Sequence, residues 1–355
     1  MVERNTGMQT YRLALIGFGN VGQGLAQILR DRQEILADQF GIKVLITAVC
    51  DSNKGTAAHS EGIPPHELLT SMHTCGSLDE VAADHPGWDA LQMIENSQAD
   101  VVVEMSYTDL QSGEPAASHI QKALELGKHV LTTNKGPVAL HYNRLAQIAA
   151  EHGVALGVEG TVMSGTPALH MGSEYLQAAG IQVIEGIFNG TTNYILSEMS
   201  LGGSYAEALA RAQEMGFAEA DPSGDVEGYD AAGKVVILAN LLMKASLQME
   251  DVKRQGITRL TVRDIEDAHN RAETWKLVGS VRRTGQGITA SVSPVSLPNH
   301  HPLARVNGAT NAILYTTELL GEVILIGPGA GRLETGYALL TDLLEIHRRR
   351  SLPPV

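Results

Sequence analysis

Residues 11–24, YRLALIGFGNVGQG, run from a short apolar stretch through three closely spaced glycines into the helical pattern LAQILRDRQEILADQF (25–40). The spacing Gly17-x-Gly19-x-x-Gly22 suits a strand, a tight turn and a helix in succession. The first glycine makes the turn, the second lets a pyrophosphate approach the backbone, and the third lets helix and strand pack closely. Phosphates would lie at the amino terminus of the helix, where Gly17, Gly19, Asn20, Val21 and Gly22 are the candidate contacts. A second apolar run, KVLITAVC (43–50), ends in Asp51, the position where a carboxylate can accept hydrogen bonds from a ribose.

Outward from this unit the β/α alternation continues. DVVVEM (100–105) reads as a strand buried on both faces, SGEPAASHIQKALELG (112–127) as a helix stopped by Gly127, and KHVLTT (128–133) as a further strand leading into Asn134-Lys135-Gly136-Pro137. Ligands of open α/β sheets bind beyond the carboxyl ends of the strands, which puts Ser106, Tyr107, Thr108 and Lys135 at the cofactor edge. A surface lysine in a turn is the competing reading for Lys135.

The next segments are a helix near 141–152, a strand VALGVEG (154–160), the turn-rich TVMSGTP (161–167), a helix near 168–179 and a strand IQVIEGIFN (181–189). After a helix at 204–215 comes EADPSGDVEGYDAAGK (219–234), with Glu219, Asp221, Asp225, Glu227 and Asp230 ahead of Lys234. Such a carboxylate density repels itself unless it is solvated or meets a cation, and an amine-bearing substrate would supply one. Asp221-Pro222-Ser223-Gly224 forms a turn, and the apolar VVILANLLM (235–243) then reads as a buried helix. Asp230 and Lys234 thus share a helical face. Shorter strands and turns are expected over 250–326, with His300 and His301 in a loop and structural in role. The turn GPGAGR (327–332) opens the amphipathic helix LETGYALLTDLLEIHRRR (333–350).

With 26 Lys+Arg against 40 Asp+Glu, the formal net charge of -14 argues against nucleic acid or an anionic membrane as partner. Cys50 and Cys75 are too few for a disulfide framework and lack metal-ligand spacing. No apolar run is long enough to span a bilayer, and MVERNTGMQTYR lacks the apolar core of a signal peptide, so a cytoplasmic protein is expected.

In order, GFGNVG, TTNKGPVAL, VEGTVMSGTP, FNGTTNYILSEM, EADPSGDVEGYDAAGK and GPGAG make the chain resemble the homoserine dehydrogenase family over nearly its whole length. The resemblance implies reversible NAD- or NADP-dependent interconversion of L-aspartate 4-semialdehyde and L-homoserine, feeding threonine, methionine and isoleucine synthesis. It implies a Rossmann-type dinucleotide-binding domain, expected over 1–140 with a carboxy-terminal helix (about 328–350) packed back on it. An α+β catalytic and dimerisation domain is expected over 141–327, in a homodimer acting on a small-molecule substrate.

Residue by residue, the family's two active-site lysines match Lys135 and Lys234, the latter moving the proton. Its substrate carboxylates match Glu219 and Asp230, with Asp225 nearby; its cofactor and substrate loop matches Gly190-Thr191, and its terminal glycine turn includes Gly331. Its cation site, commonly sodium, maps onto Glu159, Val162, Ser164 and Thr166. The sequence departs from the family at Met163 and Ser164, where glycine-like residues are common, and at Arg332-Leu333-Glu334, where a smaller stretch is usual. Asp51 favours NAD, whereas Ser52, Asn53 and Lys54 could accommodate a 2′-phosphate, so both cofactors are expected to be accepted with a mild preference for NAD. The chain has no room for a kinase domain before Tyr11 or a regulatory domain after Arg350, and a short monofunctional form is expected. Two other readings remain: a Rossmann reductase of another amino-acid aldehyde or imine, and a dinucleotide sensor without turnover.

Overall fold

A computed structural model describes residues 8–84 and 87–351 and divides the chain into two compact units, one ending at Thr161 and resuming at Gly331, the other spanning Val162–Ala330. The division falls after 161 and not at 140, because the helix Lys135–Glu151 runs unbroken through residue 140 and places Leu145 and Ala149 in the core of the first unit.

The first unit contains strands β1 (Gln9–Ile16), β2 (Ile42–Asp51), β3 (Gly55–Ile63), β4 (Val101–Glu104), β5 (His129–Thr132) and β6 (Leu156–Gly157), in the order β3-β2-β1-β4-β5-β6. All neighbours are parallel except β2 and β3. The order reverses direction between β1 and β4, which is where such sheets open a ligand crevice at the carboxyl ends of the strands. β3 is not anticipated by the sequence: GTAAHSEGI lacks large alternating apolar residues. It forms because the chain turns back between Asp51 and Gly55, with Gly55 at φ +90, and it buries the small Ala57 and Ala58 and, at its end, Ile63. Two layers of side chains flank the sheet. One of them takes Leu339, Leu340, Leu343 and Leu344 from the terminal helix Arg332–Ser351, which crosses the helix Asn20–Asp31. That crossing requires glycine, since a Cβ on Gly24 would lie 2.0 Å from the Arg332 carbonyl oxygen.

The second unit holds β7 (Ile181–Ile187), β8 (Lys253–Arg254), β9 (Glu273–Thr284), β10 (Gly287–Pro298), β11 (Thr310–Thr317) and β12 (Gly321–Pro328), ordered β12-β11-β7-β9-β10-β8. The strands over 250–326 are longer than expected, since β9 and β10 pair across twelve residues each. Pro294 sits inside β10 without breaking it. β8 pairs only with Ser291 and Val292, so beyond them one edge of β10 is open, and a residue lacking N–H is tolerated there. The helices Gly190–Ser200 and Tyr229–Leu242 pack on this sheet, and Ala231 to Leu242 of the latter are all buried. The expected helix near 168–179 is instead three short turns, Ala168–His170, Met171–Tyr175 and Gln177–Ala179. Gly172 packs there directly against Leu242, with no room for a Cβ.

Candidate active site

The glycine turn is built as the sequence expects. Gly17 lies at φ +89, and a Cβ on it would be 2.5 Å from the Met105 carbonyl oxygen, so the turns after β1 and β4 meet backbone to backbone. A Cβ on Gly22 would lie 2.7 Å from Gly17 O, while one on Gly19 would meet nothing within 4 Å. The helix Asn20–Asp31 has no side-chain cap and no acidic residue in its first turn, leaving its first N–H groups without a side-chain acceptor. Uncapped donors above an open Gly19 fit a dinucleotide pyrophosphate.

Asp51 braces this turn. Its Oδ2 accepts from Phe18 N at 2.7 Å, its Oδ1 from Asn53 N at 3.0 Å and Lys54 N at 3.1 Å, and Lys54 Nζ lies 3.3 Å from Oδ2. Burial works to raise its pKa, but the Phe18 and Asn53 amides and the Lys54 ammonium together hold the carboxyl below the usual range.

At the end of β4 the fully buried Glu104 accepts from Ser106 N at 3.1 Å and from the Ser106 hydroxyl. Asn134, at the end of β5, donates through Nδ2 to Ser106 O (3.2 Å) and Tyr107 O (2.9 Å), and caps the next helix by accepting from Gly136 N. Ser106, Tyr107, Thr108 and Lys135 are thereby gathered at the carboxyl edge of β4 and β5, with Lys135 the first residue of its helix. Gly331 precedes the helix Arg332–Ser351.

In the second unit, Lys234 is 6% exposed; its Nζ donates to Asp230 Oδ2 at 2.8 Å and to the Phe188 carbonyl at 2.6 Å. The ion pair spans one helical turn, as the four-residue spacing requires. Asn189 joins the carboxylates: Nδ2 donates to Asp225 Oδ1 at 2.6 Å and to Asp230 Oδ2 at 3.0 Å, while Oδ1 caps the helix Gly190–Ser200 by accepting from Thr192 N. Burial, then the nearby Asp230 charge, push the Asp225 carboxyl up. Gly190 packs on Ala309 O, and Thr191 donates to Phe217 O at 2.6 Å.

The acidic segment therefore separates. Asp225 and Asp230 join Lys234, whereas Glu219 and Asp221 are exposed; Asp221 accepts from Ser223 N and Glu227 from Thr258 Oγ1. Asn189 and Asn134, which hydrogen-bond to the candidate residues around them, are not among the positions expected from the sequence. Each is an Asn directly before a helix, and that capping signal was available in the sequence.

Of the cation positions, Glu159 is buried in the first unit and Val162, Ser164 and Thr166 in the second. Met163 and Ser164 have φ of 59 and 54, a left-handed conformation that explains why glycine-like residues suit these positions. His301 accepts from Leu303 N and caps a turn, a structural role. No cluster of three His, Cys, Asp or Glu side chains suited to a metal occurs among the described residues.

The homoserine dehydrogenase family model matches residues 167–344, and the model described as homoserine dehydrogenase, NAD binding domain, matches residues 17–159. The chain belongs to the homoserine dehydrogenase family. It is 44% identical over 346 residues to the NAD(+)-dependent homoserine dehydrogenase of Pseudomonas canavaninivorans, covering 96% of this chain and 97% of that protein. The structure of a homoserine dehydrogenase from Thiobacillus denitrificans superposes with TM-score 0.84 at 32% identity, over 97% of this chain and 74% of the other. A hyperthermophilic archaeal homoserine dehydrogenase mutant in complex with NADPH gives TM-score 0.83 at 30% identity, over 97% and 99%. This homoserine dehydrogenase family member is accordingly an NAD(P)-dependent oxidoreductase with a Rossmann-type domain. No helix among its described residues is long and apolar enough to cross a membrane.

Proposed function

We propose that this protein interconverts L-aspartate 4-semialdehyde and L-homoserine with Lys234 as the group that gives and takes the proton. The observation carrying this reading is the buried Lys234–Asp230 pair at 2.8 Å, tied through Asn189 to Asp225. The bound dinucleotide supplies the hydride. Negative charge then develops on the aldehyde oxygen, and an ammonium held by a carboxylate neutralises that oxygen by donating a proton. In the oxidation direction the same amine removes the hydroxyl proton.

The substrate α-ammonium is a match for Asp225 and Asp230, two carboxylates held together by Asn189. Glu219, exposed at the start of the same segment, is the further candidate carboxylate for the substrate. Candidate donors for the substrate carboxylate are Lys135 in the first unit and the Gly190-Thr191 backbone in the second. On the cofactor side the candidates of the first unit are Gly17, Gly19, Asn20, Val21 and Gly22 for the phosphates, Asp51 for the ribose, and Ser106 to Thr108 and Gly331 for the remainder; Gly190 is the candidate of the second unit. The positions the family uses for its cation are Glu159 in the first unit and Val162, Ser164 and Thr166 in the second, whose carboxylate and backbone oxygens are donors of the type sodium takes. A homodimer is supported by apolar surface at Leu319 and Leu320, which are 76% and 62% exposed at the β11–β12 turn, and is tested by equilibrium sedimentation.

The deciding experiment follows NADH and NADPH oxidation with aspartate 4-semialdehyde beside other amino-acid aldehydes and cyclic imines. The proposal expects the semialdehyde to be preferred. Faster turnover of a cyclic imine, or cofactor binding with no turnover of any of them, would favour the competing readings.

A further inference from the structure

Ser106 is held on three atoms. Its N–H and hydroxyl both donate to Glu104 Oε1, and its carbonyl accepts from Asn134 Nδ2. Glu104 is 0% exposed, and its Oε2 has no hydrogen-bond partner among the described residues; His119 Nδ1, 3.8 Å from Oε1, likewise has none. The Glu104 carbonyl is also fixed, accepting from Thr132 Oγ1 at 2.9 Å.

A serine hydroxyl has one proton and two lone pairs. With its proton committed to Glu104, the Ser106 hydroxyl offers a ligand only lone pairs. This holds whether or not Glu104 carries a proton, because a proton would occupy Oε2 and leave Oε1 the acceptor of both Ser106 donors.

Ser106 stands just past the end of β4, beside the reversal of strand order, and Gly17 of the glycine turn touches the backbone of its neighbour Met105. In a crevice of this kind, with the pyrophosphate on the glycine turn, the reactive ring of the dinucleotide lies past the end of β4. That ring carries a carboxamide, whose NH2 needs an acceptor.

We propose that Glu104 is a positioning residue that locks Ser106 as an acceptor for the carboxamide NH2 and so selects the amide over its acid analogue. The inference rests on the assignment of Ser106 to the cofactor edge.

The test is calorimetric binding of NAD and of nicotinic acid adenine dinucleotide, in which a carboxylate oxygen replaces the NH2. The parent protein should bind NAD at least about tenfold more tightly, the scale of one hydrogen bond exchanged for a lone-pair clash. Ser106→Ala should reduce that ratio at least about threefold. Glu104→Met should do the same by freeing the hydroxyl to donate. Glu104→Gln, whose amide oxygen can replace Oε1, should keep the parent ratio. If Glu104→Met does not fold, Glu104→Asp, which withdraws the carboxyl by one methylene, takes its place. A parent ratio preserved in Ser106→Ala removes Ser106 from the cofactor edge. A ratio lowered in Ser106→Ala but preserved in Glu104→Met, or lost in Glu104→Gln, overturns the role of Glu104 and leaves the cofactor edge standing.

Discussion

Two lysines are buried in the second unit, and they are buried differently. Lys234 meets a carboxylate at 2.8 Å. Lys276, 0% exposed on β9, meets only neutral acceptors: Asn193 Oδ1 at 3.1 Å, Val306 O at 2.5 Å and Asn307 Oδ1 at 3.1 Å. Without a counter-charge, burial pushes the Lys276 ammonium down to about 8. One lysine thus sits where a proton can be exchanged beside charge-bearing groups. The other ties the helix Gly190–Ser200 to the 306–307 loop. Burial alone does not mark a catalytic lysine; the partners do.

The largest contrast should come from removing each amine. Lys234→Ala should lower turnover about 10²- to 10⁴-fold, the usual contribution of a positioned acid-base group, with NAD(P)H binding nearly unchanged. Lys276→Met should alter turnover only a few-fold. Steady-state kinetics with fluorescence titration of the cofactor checks both. Near-normal turnover in Lys234→Ala would sink the proton-transfer assignment, and equal losses in the two variants would break the comparison.

A smaller effect is expected at Asn189, which distinguishes the Lys234 environment from that of Lys276 by holding two carboxylates together. Asn189→Ala removes the donor shared by Asp225 and Asp230 and also the helix cap. Substrate kcat/KM should fall about tenfold to a hundredfold, on the scale of losing hydrogen bonds to charged groups. Asn189→Ser should recover stability by restoring a cap but not kcat/KM. Recovery of both by Ser would show that capping alone matters.

The sequence made the helix pairing of Asp230 with Lys234 legible because spacing of four residues fixes it locally. The glycine turn was readable for the same reason, as was the apolar helix after Lys234. What escaped depended on distant neighbours. β3 carries no pattern of its own and exists because β2 offers an edge. The segment 168–179 packs through Gly172 against Leu242, seventy positions away. Glu219 looks equivalent to Asp225 in sequence, and only tertiary packing leaves one exposed and the other beside Asn189.

Lys276 makes a pH prediction with a definite sign. Its folded-state pKa, about 8, lies below the ordinary 10.5, so between those values the unfolded chain binds more protons and stability rises with pH. The penalty of the buried charge is therefore fully present below about pH 8 and relieved toward 10.5. Relative to Lys276→Met, the parent should gain up to roughly 3 kcal/mol across that window. Urea unfolding of both proteins at several pH values measures the difference. Parallel pH profiles would mean that Lys276 keeps an ordinary pKa, and the contrast with Lys234 would then rest on catalysis alone.

The smallest effect concerns Asp51, the corresponding brace in the first unit. Its carboxylate could repel a 2′-phosphate, but it also holds Phe18 N, two turn amides and Lys54, so part of its charge is already neutralised. A mild NAD preference with both cofactors accepted is the expected outcome. Asp51→Ala should shift the ratio of kcat/KM values toward NADP about threefold to tenfold, since it removes a repelling charge and releases Lys54. It should also raise KM for both cofactors by loosening the glycine turn. Asp51→Asn separates these effects in part: its single amide oxygen keeps an acceptor for either Phe18 N or the Asn53 and Lys54 amides while the charge is removed, so it should shift the ratio with a rise in KM smaller than that of Asp51→Ala. If neither substitution moves the ratio, Asp51 is a brace only, and cofactor choice lies elsewhere in the first unit.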